Sequence, residues 1–392
     1  MSRGLLQTRA GRVVAVASVL LVAAVVVGMV ALWPSGDARL GAGSAGNAPE
    51  RADVVAVASV ACAMSSSGRP CQRLTLELAS GRDRGERVTL TMPGTDAAPK
   101  FSVGDRIEVF ANGAGAPEPY AFSDFERGAP ITLLALLFGA LVIVLGRWKG
   151  VLSLIGLGLS LIVVLRFIVP AILDGSPPLL VALVGGMAVM LATLALTYGI
   201  GPTSLAAALG AAGALVVIAV LAVVVVHAAH LTGFSSEEST LLLAGERDGR
   251  LSLEGLVLAG IIIAALGVLD DVCVSQASTV VALRRANPAL PFGRLFGEAM
   301  QVGRDHLSAT VNTLVFAYVG ASLPALLIFQ TQGTSIGDAV GRESVAEEVA
   351  GMLVGSVGLI LAVPVTTALA ALLARLLPSS ALEAEGHAHH HH

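Results

Sequence analysis

Charged side chains are scarce in this chain of 392 residues. Asp, Glu, Lys and Arg together make up 13% of it, against roughly 25% in an ordinary soluble domain. Hydrophobic residues reach 55%, which is too many for a soluble fold to bury and too many for a disordered chain. The net charge of −4 argues against nucleic-acid binding, because such proteins carry a basic surplus. The composition therefore predicts an integral membrane protein.

Motifs of the common enzyme classes are also missing. The sequence contains no P-loop, no Cys-x-x-Cys pair and no His-Glu-x-x-His pattern. An ATP-driven pump would therefore need a motor from another subunit. We expect no enzymatic activity, no cofactor and no metal site.

Eight apolar runs are long enough to cross roughly 30 Å of bilayer hydrocarbon as helices. The first follows three arginines and could be a signal peptide. Its apolar stretch exceeds the usual length of such a segment, so a retained anchor over residues 1–34 is favoured. The other seven define a membrane domain over 129–376. In chain order, the runs are 13–33, 131–146, 151–169, 179–198, 205–226, 253–272 (with 278 as the alternative end), 309–329 and 349–373.

Basic residues in the short loops indicate the orientation, because cytoplasmic loops are enriched in Lys and Arg. With the N-terminus inside, ten basic residues fall on the cytoplasmic side and three in the short outer loops. We therefore predict a multi-pass protein of the cytoplasmic (inner) membrane with both termini cytoplasmic. The His-rich end, 377–392, is a cytoplasmic tail that is either native or derived from a tag.

The long polar region between the first two runs is extracytoplasmic in this topology. Its first part, 35–52, is rich in Gly, Ala and Pro and is typical of a linker. Residues 53–128 contain short segments in which apolar and polar residues alternate, the period of half-buried strands. The segments 53–61, 73–78, 87–92 and 106–110 predict a small β domain. We expect an OB-like barrel, with sandwich fragments as the alternative.

Two cysteines, Cys62 and Cys71, flank one loop of this β domain. On the oxidising side of the membrane they are expected to form a disulfide. The alternative is that they are two unrelated small core residues.

An adjacent pair of carboxylates, Asp270 and Asp271, interrupts the sixth run. A charge at mid-bilayer costs about 3 kcal/mol on insertion scales, so the pair is either an interfacial helix cap or a functional group. Asp271 shares a helical stripe with five small residues, which favours a packed seam that leads into a polar cavity. Those residues are Gly260, Ala264, Gly267, Ser275 and Ser278.

Residues 284–308 mix charged and apolar side chains and predict an amphipathic cytoplasmic segment. Ser308 and Asn312 follow Arg304 by four and eight residues, so one helical face continues into the seventh run. An amide in apolar surroundings needs a hydrogen-bond partner. We expect Asn312 to find it in Asp270 or Asp271.

Two blocks, 267–278 and 303–324, resemble the YibE/F-like membrane protein family. The likeness is expected to cover the β domain and all the later runs. It implies a topology but no substrate or reaction. Its polar landmarks are Asp270, Asp271, Gln276, Arg304, Asp305, His306 and Asn312, to which the stripe adds Ser275. A more distant analogy is to the membrane half of SecF and to proton-driven transporters of the resistance-nodulation-division type.

The leading functional hypothesis is a proton-coupled secondary transporter or lipid-carrier translocase. Two adjacent carboxylates repel each other when both are ionised, so at least one of them is expected to bind a proton. The stripe favours Asp271 as the proton carrier, and Asp270, rotated by about 100° on the helix, is expected to be the interfacial member. The alternative is an envelope scaffold or partner subunit that acts through the β domain. The expected partners are the lipid bilayer and a small-molecule or lipid substrate, with an envelope protein and a second copy of the chain left open.

The topology can be tested by labelling introduced cysteines with a membrane-impermeant reagent. A cysteine in the turn at 83–85 should react on intact cells, whereas one near Arg294 should react only after permeabilisation. Labelling in the opposite order would contradict the predicted orientation.

Overall fold

The computed structural model describes residues 9–35, 49–61, 70–81, 83–93, 99–112, 116, 118–199, 201–235, 239, 241–242 and 251–376. Most of the predicted linker and the whole His-rich tail lie outside these residues. The chain divides into two compact units: a β unit, Ala42–Leu141, and a helical unit, Met1–Gly41 with Val142–His392.

The β unit contains a five-stranded antiparallel sheet in the order β3-β2-β1-β4-β5. All four predicted strands are present to within three residues at each end, and a fifth strand follows them. The strands are β1, Glu50–Val60; β2, Cys71–Leu78; β3, Arg87–Met92; β4, Arg106–Ala111; and β5, Tyr120–Phe125.

The sheet buries one face, as the alternation predicts. Leu74, Leu76 and Leu78 of β2 are at most 1% exposed, and Ile107 and Val109 of β4 are fully buried. A bulge between Val54 and Ala56 interrupts the register of β1 with β2. Bulges increase the local twist of a sheet, and this one occurs in β1, the central strand.

Polar contacts bring the two outer strands towards each other. The Thr91 amide of β3 donates to Glu118 Oε1, just before β5, at 3.0 Å. The Tyr120 hydroxyl donates to Asp83 Oδ2 at 3.0 Å. Burial and this hydrogen bond raise the pKa of Tyr120 to about 12, so the hydroxyl remains a donor at neutral pH. The sheet is therefore curled rather than flat.

Cys71 is the first residue of β2; it is 5% exposed and is engaged in a disulfide. Cys62 lies outside the described residues, so its pairing with Cys71 stays a prediction.

Seven helices within the described residues are long and apolar enough to cross a membrane. They are α1, Arg9–Ala31; α2, Gly128–Val163, which continues through a π-helical turn, Val164–Ile168, into α3, Val169–Leu173; α4, Pro178–Tyr198; α5, Pro202–Ala228; α6, Leu253–Ala286; α7, Phe292–Thr331; and α9, Glu343–Leu376. The short α8, Ile336–Val340, precedes α9.

The second of these seven segments is broken at Arg147, where φ is 52° and ψ is −132°. A Cβ atom on Gly150 would lie 2.2 Å from the Val142 carbonyl oxygen. Eight residues along a straight helix span about 12 Å, so the chain must turn back here. Two apolar arms therefore meet at a sharp bend.

Two helices are longer than the apolar runs that predict them. α6 continues to Ala286, about four turns past Asp271, so the interfacial-cap interpretation of the pair is wrong. α7 is a single helix of 40 residues that joins the predicted amphipathic segment, from Phe292 onwards, to the seventh run. The apolar runs end where charged residues begin, but the backbone hydrogen bonding of the helices continues past those residues.

Glycines allow the helices to approach closely. A Cβ on Gly186 of α4 would lie 2.7 Å from Leu266 of α6, and one on Gly358 of α9 would lie 2.2 Å from Ile218 of α5. Such contacts favour association in lipid, where packing rather than the hydrophobic effect drives helices together.

A pair of glycines on α5 allows a matched test of this packing. A Cβ on Gly210 would lie 2.0 Å from Thr366 Oγ1, whereas one on Gly213 would meet nothing described within 4 Å. Ala is intrinsically better than Gly in a helix by about 1 kcal/mol. Gly213→Ala should therefore leave the melting temperature in detergent unchanged or raised, and Gly210→Ala should lower it. Equal effects would contradict the assigned α5–α9 contact.

Candidate functional site

Asp270 lies in the middle of α6 and is half-buried against α4. Its Oδ1 atom is buried and has no hydrogen-bond partner among the described residues. The Thr193 hydroxyl of α4 is within hydrogen-bonding reach of the same carboxylate. In this structure Thr193 donates instead to the Met190 carbonyl oxygen at 3.0 Å. The carboxylate therefore retains unused hydrogen-bonding capacity.

The surroundings of Thr193 fix its position. A Cβ on Gly156 of α2 would lie 3.3 Å from Thr193 Cγ2, so α2 packs closely on the side chain. Tyr198, further along α4, is 38% exposed and lies within electrostatic range of both Asp270 and Asp271.

Polar contacts continue along α6 from Asp270. The buried Thr366 hydroxyl of α9 donates to Cys273 Sγ at 3.4 Å. The Gln276 amide, 3% exposed, donates to Thr367 Oγ1 at 2.8 Å and to the Ala299 carbonyl oxygen at 2.9 Å. These hydrogen bonds connect α6 with α7 and α9, and Thr193 of α4 lies beside the Asp270 end. We call Thr193, Asp270, Cys273, Gln276, Thr366 and Thr367 the polar track.

Gly303 of α7 packs against the polar track at Gln276. A Cβ there would lie 2.7 Å from Gln276 Oε1 and 2.8 Å from Val363 Cγ1. Only glycine leaves room for the amide between α7 and α9.

The stripe that contains Asp271 is not a packed seam. Gly260, Ala264, Gly267 and Asp271 are exposed, and a Cβ on either glycine would meet no described atom within 4 Å. The expectation that Asp271 faces protein differs from this geometry. Small residues permit a close approach, but the helices that contact α6 within this chain lie on its other faces.

The other predicted polar residues do not converge on the carboxylates. Arg304, Asp305 and Asn312 are exposed, and neither carboxylate forms an ion pair with Arg304 in the described part of the chain. Ser275 and His306 are half-buried, and His306 Nε2 is a buried atom with no described partner. Of the predicted site residues, the polar track contains Asp270 and Gln276.

Sequence reasoning missed Cys273, Thr366 and Thr367. The signal lay in Pro364, a helix-interior proline just before the two threonines. A proline inside a helix leaves a backbone carbonyl without its usual donor. In a helix bundle, neighbouring side chains can satisfy that carbonyl.

Replacing Thr367 tests the polar track as a structural unit. Thr367→Val keeps the shape of the side chain but removes the acceptor for the Gln276 amide. We expect a loss of about 1–2 kcal/mol of stability, measured by unfolding in detergent. Thr313→Val is the control, because that exposed hydroxyl bonds only the Ala309 carbonyl oxygen of its own helix. A loss of similar size in both variants would contradict the contact.

Comparison with known proteins supplies the family. A family model described as YibE/F-like protein matches residues 134–376, more than half of the chain. The chain therefore belongs to the YibE/F-like family. The match does not include strands β1 to β5, so the expected likeness over the β domain is not supported. No curated protein and no solved structure matches the chain.

Proposed function

We propose that this YibE/F-like protein is a secondary transporter or lipid-carrier translocase of the cytoplasmic membrane, driven by protons that bind Asp270. The observation that carries the proposal is the position of Asp270, half-buried in the middle of a membrane-length helix with a buried, unpartnered oxygen. An ionised carboxylate is costly there, and intramembrane carboxylates of this kind mark proton and substrate pathways. Protonation neutralises the Asp270 carboxylate and so removes the cost of burying its charge.

Thr193 supplies a switch that responds to this protonation. A hydroxyl has one hydrogen to donate and two lone pairs to accept. When Asp270 is protonated, it donates to Thr193 Oγ1 while Thr193 keeps its bond to the Met190 carbonyl oxygen. When Asp270 is ionised, Thr193 turns its hydrogen towards the carboxylate and releases Met190. Proton binding thus changes the contact between α4 and α6.

Asp271 has a different role from Asp270 in this proposal. Its side chain is exposed while that of Asp270 is half-buried. Two neighbouring carboxylates cannot both ionise without repulsion, and the more buried one gains more from protonation. Asp270 therefore holds the proton, and Asp271 delivers it or receives it from the open side of α6.

The proposed topology has eight spans, because the bend at Arg147 divides the long second segment into two arms. Lys149 lies beside the bend, as expected for a cytoplasmic turn. Both termini are then cytoplasmic, and residues 35–128, which include the five-stranded sheet, are extracytoplasmic. The strand order of the sheet and its approaching outer strands support an OB-like, partly open barrel.

A scaffold is the second candidate, and one observation favours it. The exposed stripe Gly260, Ala264 and Gly267 offers a surface on which another transmembrane helix can pack closely. A second copy of the chain or an envelope protein would then cover α6, and the polar track would hold the helices together.

Substitution of the two carboxylates separates these candidates. Asp270→Asn keeps the shape but fixes the neutral form, so it should abolish complementation of a deletion strain while the protein still inserts and remains stable. Asp271→Asn is the matched control and should be milder. Infrared titration of the purified protein should show a protonated carboxyl band that Asp270→Asn removes and Asp271→Asn keeps.

Two results would count against proton coupling at Asp270. One is full complementation by Asp270→Asn, and the other is an infrared titration unchanged by the substitution. If Asp270→Asn complements but Ala264→Phe does not, the scaffold becomes the better explanation.

A further inference from the structure

A cavity of about 770 Å³ lies among α1, α4 and α5, away from the polar track. Its walls are apolar and include Val22 of α1, Leu191 and Ala195 of α4, and Ala208 of α5. The two lining hydroxyls are both used locally. Ser18 donates to the Val14 carbonyl oxygen at 2.9 Å, and Ser204 donates to the Gly199 carbonyl oxygen at 2.7 Å.

The walls determine what chemistry can fill this cavity. A buried water needs two to four polar partners, and the lining has no hydroxyl hydrogen left to offer. Three lining side chains of α1, Val19, Val22 and Val26, are 47–62% exposed, so the space is a groove that opens to the surroundings of α1. The occupant is therefore apolar, and in a bilayer the abundant apolar molecule is the lipid chain.

The shape of the cavity narrows the choice further. Its lining on α1 runs from Ala15 to Met29, about 21 Å along the helix. The volume divided by that length gives a mean cross-section of about 37 Å², so the space is longer than it is wide. Near Met29, α1 meets α4 directly, because a Cβ on Gly28 would lie 2.8 Å from Val184 Cγ2. The space is long and narrow, as a hydrocarbon chain requires.

A basic residue lies near the other end of the cavity, where the lining begins on α1. Arg12 precedes Ala15 by one turn of α1 and is exposed. A guanidinium forms two parallel hydrogen bonds with a phosphate group, and basic residues beside a membrane helix attract anionic lipids. The charge complements a negatively charged headgroup at the end where Ala15 begins the lining.

We infer that this cavity binds one acyl chain of an anionic phospholipid, with the headgroup phosphate on Arg12. The site goes beyond the proposed proton coupling and does not depend on it. Lipid held here stabilises α1, whose outer face is largely exposed, against α4 and α5.

Native mass spectrometry in a mild detergent tests the inference after incubation with vesicles of phosphatidylglycerol or phosphatidylcholine. The wild-type protein should retain one phosphatidylglycerol in preference to phosphatidylcholine. Ala192→Phe and Ala208→Leu fill the cavity from two helices and should each lower that occupancy at least about tenfold, or about 1.4 kcal/mol. Ala24→Phe is the matched control, because Ala24 is exposed on α1 and does not line the cavity.

Arg12→Gln should bind both lipids about equally, because the chain site persists without the charge. Asp270→Asn should retain phosphatidylglycerol like the wild type, which separates this inference from proton coupling. Equal occupancy in Ala192→Phe and Ala24→Phe, with both variants melting normally, would show only boundary lipid and would overturn the proposal. Absence of bound lipid in the wild type, or an unchanged lipid preference in Arg12→Gln, would also overturn it.

Discussion

Close helix contact is the constraint on which the helical unit depends. Lipid chains are as apolar as leucine, so helices in a bilayer associate through tight packing and hydrogen bonds. α6 meets this constraint at three points, where Gly186, Gly303 and Gly355 face its residues Leu266, Gln276 and Ala265. The polar track exists because these contacts bring hydroxyl, thiol and amide groups of neighbouring helices within hydrogen-bonding distance.

The same packing separates two adjacent carboxylates into different environments. Successive residues of a helix point about 100° apart, so Asp270 turns towards α4 while Asp271 faces outwards. A single helix thus presents one aspartate to the protein interior and one to its surface. This asymmetry is what gives Asp270 rather than Asp271 the leading role in the proposed proton transfer.

Sequence patterns predicted which helices and strands form better than they predicted where those elements end and which other elements they contact. The run 179–198 anticipated α4, Pro178–Tyr198, because apolar residues fill that helix from end to end. α6 and α7 were underestimated because charged residues end an apolar run without ending a helix. The exposure of Asp271 could not be predicted, since small residues allow a neighbour to approach but do not show that one is there. Thr367 was invisible because its partner, Gln276, lies 91 residues away in the chain.

The length of α6 has a consequence for how the protein sits in a membrane. Its 34 residues extend about 51 Å, whereas the hydrocarbon is about 30 Å thick and helices tilt by up to about 40°. Even at that tilt the helix covers about 39 Å along the membrane normal, so roughly 9 Å of it stands in the headgroup layer. Arg284 and Arg285 lie in the last turn of α6, where their charged side chains can interact with lipid headgroups. Because the polar ends of α6 resist burial in hydrocarbon, a bilayer of different thickness would change the tilt of α6 and with it the depth of Asp270.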